Sequence, residues 1–132
     1  MAMVGFWGAM LVIIASIALA QEIPRIKADE LKKMIESKAA LVIVDTQPKG
    51  AYDIGHIKGA INFPWAQDIK DPKKLPKNKL LVLYCDCGHE EDSISVGTQL
   101  MNKWGYSNIK ILEGGWSGWM KLGYPTEKGK KK

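Results

Sequence analysis

Cysteine is almost absent from this chain: two occur among 132 residues, Cys85 and Cys87, with one residue between them. A fold held by several disulfides is therefore excluded. Two side chains this close along the backbone bond to each other only with strain, so a reactive thiol pair is expected and a structural staple is not. Charge is missing from residues 1–20, MAMVGFWGAMLVIIASIALA. Lysine and arginine are missing between Lys79 and Lys103, the stretch that contains both cysteines. No segment interleaves basic residues with aromatics, which removes nucleic acid as an expected partner. Internal repeats are missing too, which excludes solenoids and propellers.

What is present fits one globular domain. Hydrophobic residues make up 46% and charged residues 25%, an ordinary balance. Of the formal net charge of +5, Lys128, Lys130, Lys131 and Lys132 supply four, which leaves +1 for residues 1–127. The basic character belongs to the end of the chain, and residues 126–132 are expected as a solvated, disordered basic tail. The apolar run of residues 1–20 ends Ala18-Leu19-Ala20, a small-x-small cleavage pattern, before polar Gln21-Glu22. It reads as a secretory signal peptide, without the usual Lys or Arg near its start, or as an uncleaved N-terminal membrane anchor. Either way the domain, residues 21–125, is expected outside the cytoplasm, in a bacterial periplasm, free or tethered through residues 1–20.

The apolar pattern alternates strand and helix. Asp29–Ser37 is a short amphipathic helix with Leu31, Met34 and Ile35 on one face and acids in its first turn. Ala40–Asp45 is a continuous β-branched run, the mark of a strand buried on both faces. Tyr52 falls in a helical turn, and Ala60–Phe63 is a brief strand. Asp68–Lys79, with Pro72, Pro76 and five lysines, reads as a solvated connection. Leu80–Tyr84 is the second fully buried strand. A helix runs from about Ser93 to Trp104, with Gly105 as its C-cap. Ile109–Leu112 is the last strand, Glu113-Gly114-Gly115 a turn, and Trp116–Leu122 a final helix. This order implies an α/β layer with a parallel sheet, whose ligands bind beyond the carboxyl ends of the strands. Cys85 stands at such an end.

Four segments carry a family resemblance. They are Val42-Ile43-Val44-Asp45; Tyr52-Asp53-Ile54-Gly55-His56-Ile57-Lys58-Gly59-Ala60; the apolar strand closing on Tyr84-Cys85; and Gly105-Tyr106 with Asn108, leading to Leu112-Glu113-Gly114-Gly115-Trp116 and Trp119. Together, in this order, they resemble the single-domain rhodanese-like sulfurtransferases over roughly residues 25–122. The resemblance implies a five-stranded, mainly parallel sheet with helices on both faces. It implies a monomer without cofactors, whose cysteine takes sulfane sulfur as a persulfide and passes it to a thiophilic acceptor. Its partners would be a small-molecule or protein-bound sulfane donor and a thiol acceptor. A loop between a strand and a helix N-terminus suits this chemistry, because backbone N–H groups and the helix dipole stabilise a thiolate or persulfide anion.

The loop itself departs from the family. It is longer, it lacks the family's Gly, Ser and Arg pattern, and it holds two cysteines. Cys85 follows the strand directly, whereas Cys87 has the better spacing to the helix, so both are candidate nucleophiles. Around them lie Asp86, Gly88, His89, Glu90, Glu91, Asp92 and Ser93. Four acids and no cation raise a thiol pKa and repel anionic donors such as thiosulfate. Asp45-Thr46-Gln47 also replaces the family's Asp-x-Arg. Asp45 is expected to orient the neighbouring turn and His56 to make a structural hydrogen bond, both supporting the site. Other readings stand beside sulfur transfer. Cys85, Cys87 and His89, with Glu90, could bind zinc or copper(I), or the pair could serve a redox module. A non-catalytic interaction domain would need neither thiol.

Overall fold

The computed structural model describes residues 22–129, together with residues 3, 5 and 12–14. Most of the apolar run assigned to export or anchoring lies outside these, as do Lys130–Lys132. Among the described residues no helix is long and apolar enough to cross a membrane.

The chain is built around β5 (Leu80–Tyr84), all five residues of which are buried. Its continuous apolar run needs cover on both faces, and it receives it. Leu80, Val82 and Tyr84 join a cluster containing Leu31 of α1 (Ala28–Glu36) and Trp119 of α4 (Gly115–Lys121). Leu81 and Leu83 point the other way, to Val96 and Leu100 of α3 (Glu91–Trp104). The alternation is the period-two geometry of a strand. Each leucine so buried contributes about 1.5–3 kcal/mol relative to exposure.

Parallel neighbours flank β5: β2 (Leu41–Asp45), with Asp45 opposite Tyr84, and β6 (Ile109–Leu112). The sheet is completed by β1 (Arg25–Ile26) and β4 (Ile61–Asn62), in the order β1-β6-β5-β2-β4, every pairing parallel. The expected five-stranded α/β layer is thus observed. Helix α2 (Lys49–Ile54) follows β2 and contains Tyr52.

Several elements differ from the sequence reading. The lead-in holds β1, whose two residues are too few to show a period. The segment 68–79 is not merely a solvated connection: Ile69 and Leu75 are buried, and the Tyr106 hydroxyl reaches the Pro72 and Leu75 carbonyls at 3.0 and 2.6 Å. Helix α3 begins at Glu91, two residues earlier than expected, because Glu91 and Asp92 suit its first turn. The tail boundary at residue 126 is also corrected. Thr126–Glu127 form β7, antiparallel to β3 (His56–Ile57).

Local chemistry explains β7. The Glu127 carboxylate accepts the Gly59 N–H at 2.9 Å and faces His56 Nε2 at 3.2 Å. The Gly59 N–H, more than His56, holds its pKa below the usual glutamate value. A depressed folded-state pKa means stability that is present above the unfolded glutamate pKa and lost as pH falls through the folded one. On acidification below the usual carboxylate range, β3–β7 should therefore fray before the main sheet. Hydrogen exchange at pH 3 against pH 6 should show early loss of protection at Lys58 and Gly59; equal protection at both pH values would contradict this.

Candidate active site

At the carboxyl end of β5 the chain turns sharply, and the turn is held from α4. The Cys85 carbonyl accepts the Trp116 N–H at 3.0 Å. Gly115 lies so close that an added Cβ would overlap the Cys85 carbonyl oxygen, and its φ of +51° is one that glycine adopts freely. Ser117 Oγ donates to Asp86 Oδ1 at 2.6 Å. Cys85 is therefore fixed by its own backbone and through its neighbour. Its sulfur is buried, 3.7 Å from Ser93 Oγ in the first turn of α3. The Ser93 hydroxyl also donates to the Glu90 carbonyl at 3.0 Å. An anion at Cys85 thus sits at the positive end of a 14-residue helix.

The expectation of two free thiols is corrected. Cys85 and Cys87 are bonded to each other, with sulfurs 2.03 Å and α-carbons 5.5 Å apart. The turn after β5 brings the two α-carbons within the span that disulfides use, which spacing along the sequence did not reveal. Cys87 is half-buried, while Asp86, Gly88 and His89 are exposed.

The acids of the loop separate into different tasks. Glu90 has a left-handed backbone, φ +57°, at the N-cap of α3. Its carboxylate accepts the Gly114 N–H at 3.2 Å and pairs with Arg25 Nη2 at 3.3 Å. It ties β1, the loop and the Gly-Gly turn together. Glu91 accepts the His89 N–H at 3.3 Å; its own backbone N–H and that of His89 hold its pKa down. Asp92 lies half-buried in the same first turn. Among the described residues no three His, Cys, Asp or Glu side chains converge to hold a metal. The two sulfurs are bonded together, His89 is exposed and Glu90 points elsewhere, so the metal reading finds no donor set.

Asp45 and His56 act at a distance from the sulfurs. Asp45 is fully buried and accepts the Tyr84 hydroxyl at 2.7 Å, the Gln47 N–H at 2.8 Å and Gln47 Nε2 at 3.0 Å. Burial pushes its pKa up against those hydrogen bonds. Burial, and then the Asp45 charge, pushes the Tyr84 phenol up as well. The same hydroxyl accepts the Ile57 N–H at 2.9 Å. Asp45 thus orients the residue immediately before Cys85. His56 stacks on Tyr52 at 3.7 Å, donates from Nδ1 to the Tyr52 carbonyl at 2.8 Å and faces Glu127. It belongs to the β3–β7 ribbon. Tyr84→Phe should leave the Ile57 N–H unpaired and remove one donor from a buried carboxylate. The expected cost is about 1–3 kcal/mol, read as a lower urea midpoint at unchanged slope; an unchanged midpoint would refute the role.

Sequence reasoning missed Arg25, Ser117 and the paired sulfurs. Only the Gly114-Gly115 step before Trp116 gave a signal, since two adjacent glycines mark a backbone that needs close approach. Beside the loop lies an open cleft of about 690 Å³ lined by Gln47, Ala51, Ile54, Asp86, Trp116 and Met120, among others. Asp86, the residue between the two cysteines, is part of this lining.

The same fold recurs in known proteins. The model of the rhodanese-like domain matches residues 27–122. This chain belongs to the rhodanese-like domain family. It is 30% identical over 131 aligned residues to the sulfur carrier protein TtuD of Thermus thermophilus, covering 76% of this chain and 45% of that one. It is 28% identical over 106 residues to the thiosulfate sulfurtransferase GlpE of Coxiella burnetii, covering 80% and 92%. The crystal structure of the Alr3790 protein from Anabaena superimposes with a TM-score of 0.66 at 30% identity, covering 78% and 82%. The chain spans between a fifth and a half of the longer curated relatives it matches.

Proposed function

We propose that this rhodanese-like domain is a sulfurtransferase that carries sulfane sulfur as a persulfide on Cys85. The observation that carries the reading is the placement of Cys85. It ends the central strand β5, its carbonyl is held by the Trp116 N–H, and its sulfur faces the first turn of α3. Once reduced, Cys85 presents a thiolate where the positive end of the α3 dipole favours the anion. The thiolate attacks the outer sulfur of a donor, the rest of the donor leaves as an anion with the electron pair, and Cys85 holds the sulfur as a persulfide; a thiophilic acceptor then takes that sulfur and releases the Cys85 thiolate. Relatives named as a sulfur carrier and as thiosulfate sulfurtransferases support the reaction class.

The donor we propose is neutral or protein-bound. Thiosulfate is a dianion, and the loop offers it Asp86, Glu90, Glu91 and Asp92 with no Lys or Arg between residues 79 and 103. The cation that does approach, Arg25, is paired with Glu90. The test starts from reduced full-length protein carrying Cys87→Ser, so that the second thiol cannot discharge the adduct, treated with an organic persulfide or with thiosulfate and weighed intact. A gain of one sulfur atom, faster from the organic persulfide and absent in Cys85→Ala, is expected. Absence of the adduct with either donor rejects the proposal.

A further inference from the structure

We propose that Cys87 makes this domain a sulfane-sulfur reductase: it discharges the Cys85 persulfide as hydrogen sulfide and leaves the Cys85–Cys87 disulfide seen here. The inference rests on Cys85 being the persulfide carrier. What carries it is the bond between the two sulfurs. The atom within reach of Cys87 Sγ is Cys85 Sγ, which becomes the inner sulfur once a persulfide is in place. Attack at the outer sulfur would only move the persulfide from one cysteine to the other. Attack at the inner sulfur ends it.

The step balances without an added oxidant. The Cys87 thiolate bonds to Cys85 Sγ, the bond from Cys85 Sγ to the outer sulfur breaks, and the outer sulfur leaves with the electron pair, taking a proton as HS⁻. The sulfane sulfur gains two electrons and the two cysteines lose them together. A dithiol reductant then restores the pair and is itself oxidised to a disulfide.

Burial gives the reductive half its direction. Cys85 is 1% exposed, whereas Cys87 is half-buried between exposed Asp86 and Gly88. An incoming thiolate therefore meets Cys87 Sγ first and forms a mixed disulfide there. The leaving group is the Cys85 thiolate, the one placed at the N-terminus of α3. The backbone is arranged in the same sense. Cys85 is clamped by Gly115 and Trp116, while an added Cβ at Gly88 would meet nothing within 4 Å. The carrier is held in place, and the backbone just past the resolving cysteine is in open space. The acidic loop favours the outcome as well. A persulfide anion in a loop that also carries Asp86, Glu91 and Asp92 is disfavoured by like charge, and a disulfide carries no charge.

Single-turnover chemistry on the full chain tests this. The protein is reduced, freed of reductant, and given one equivalent of cysteine persulfide under anaerobic conditions. Released sulfide is trapped and the protein is weighed intact. Wild type should release about one sulfide per chain and return to the disulfide mass. Cys87→Ala and Cys87→Ser should each gain the mass of one sulfur and release at least about tenfold less sulfide. A wild type that holds a stable persulfide and releases no sulfide overturns the reductase inference and leaves the persulfide carrier intact. Failure of both Cys87 variants to acquire sulfur overturns the carrier and the reductase together.

Discussion

Replacement of Cys85 by alanine should reduce sulfur transfer to cyanide to the uncatalysed background, a loss of at least about a thousandfold in kcat/KM. The argument is one of position. Cys85 alone joins the last residue of β5, the Trp116 N–H and the Ser93 side chain, so no other thiol can inherit its environment. Cys87 stands two residues further on, half-buried, and lacks that backbone clamp. Both single variants abolish the disulfide, so loss of the bond cannot by itself separate them; their transfer rates in the reduced form can. The fold should survive, because removal of one sulfur atom from a buried site costs only about 1–2 kcal/mol. Equal rates for Cys85→Ala and wild type would move the carrier role to Cys87, whose spacing to the helix had favoured it. Loss in Cys85→Ala with an adduct in Cys87→Ala would close that question.

Gly115→Ala should destabilise the domain by roughly 2–5 kcal/mol and, in whatever fraction still folds, displace Cys85. Two costs act together. The backbone at Gly115 has φ +51°, a conformation disfavoured for any residue with a Cβ, and the Cβ itself would overlap the Cys85 carbonyl oxygen. Relief requires α4 to move away from β5, which lengthens the hydrogen bond from Trp116 N–H to the Cys85 carbonyl. Chemical denaturation should show a large fall in midpoint, and persulfide formation per folded molecule should fall as well. Gly123→Ala is the control, because its φ of +68° carries the backbone cost while its Cβ would meet nothing within 4 Å. Similar losses in the two variants would mean that the contact with Cys85 does not matter.

Much of the scaffold was legible along the chain because its causes are local. Leu80–Tyr84 announces itself as a strand buried on both faces, and it is; Ala40–Asp45 reads the same way, and its strand, Leu41–Asp45, is buried from Ile43 to Asp45 and half-buried at Leu41 and Val42. Leu31 and Leu100 fall on helical stripes and reach the core. Gly105 caps α3 with φ +72°. Asp45 and His56 are both buried and hydrogen-bonded to neighbouring segments. Of the short elements, the strand at Ala60–Phe63 was legible and holds β4, but others were not. A two-residue strand such as β1 or β7 has no period of its own and exists only because β6 or β3 offers it a partner. Ile69 and Leu75 sat in a lysine-rich segment that reads as solvent, yet packing against α3 and Tyr106 buries them.

The sequence by itself determined the parallel α/β layer, the order of its motifs, and the choice of the strand–loop–helix element around Cys85 as the centre of chemistry. Those follow from side-chain periodicity and from residue types whose backbone demands are local. Tertiary structure alone decided the state of that centre. Whether Cys85 and Cys87 bond depends on how the turn after β5 curls beneath Gly115 and Trp116, residues about thirty positions away in the chain. Whether the acidic loop meets a cation depends on β1 bringing Arg25 to Glu90, across a separation of 65 residues. Distances of a few ångströms between segments remote in sequence govern sulfur chemistry, and only the folded chain sets them.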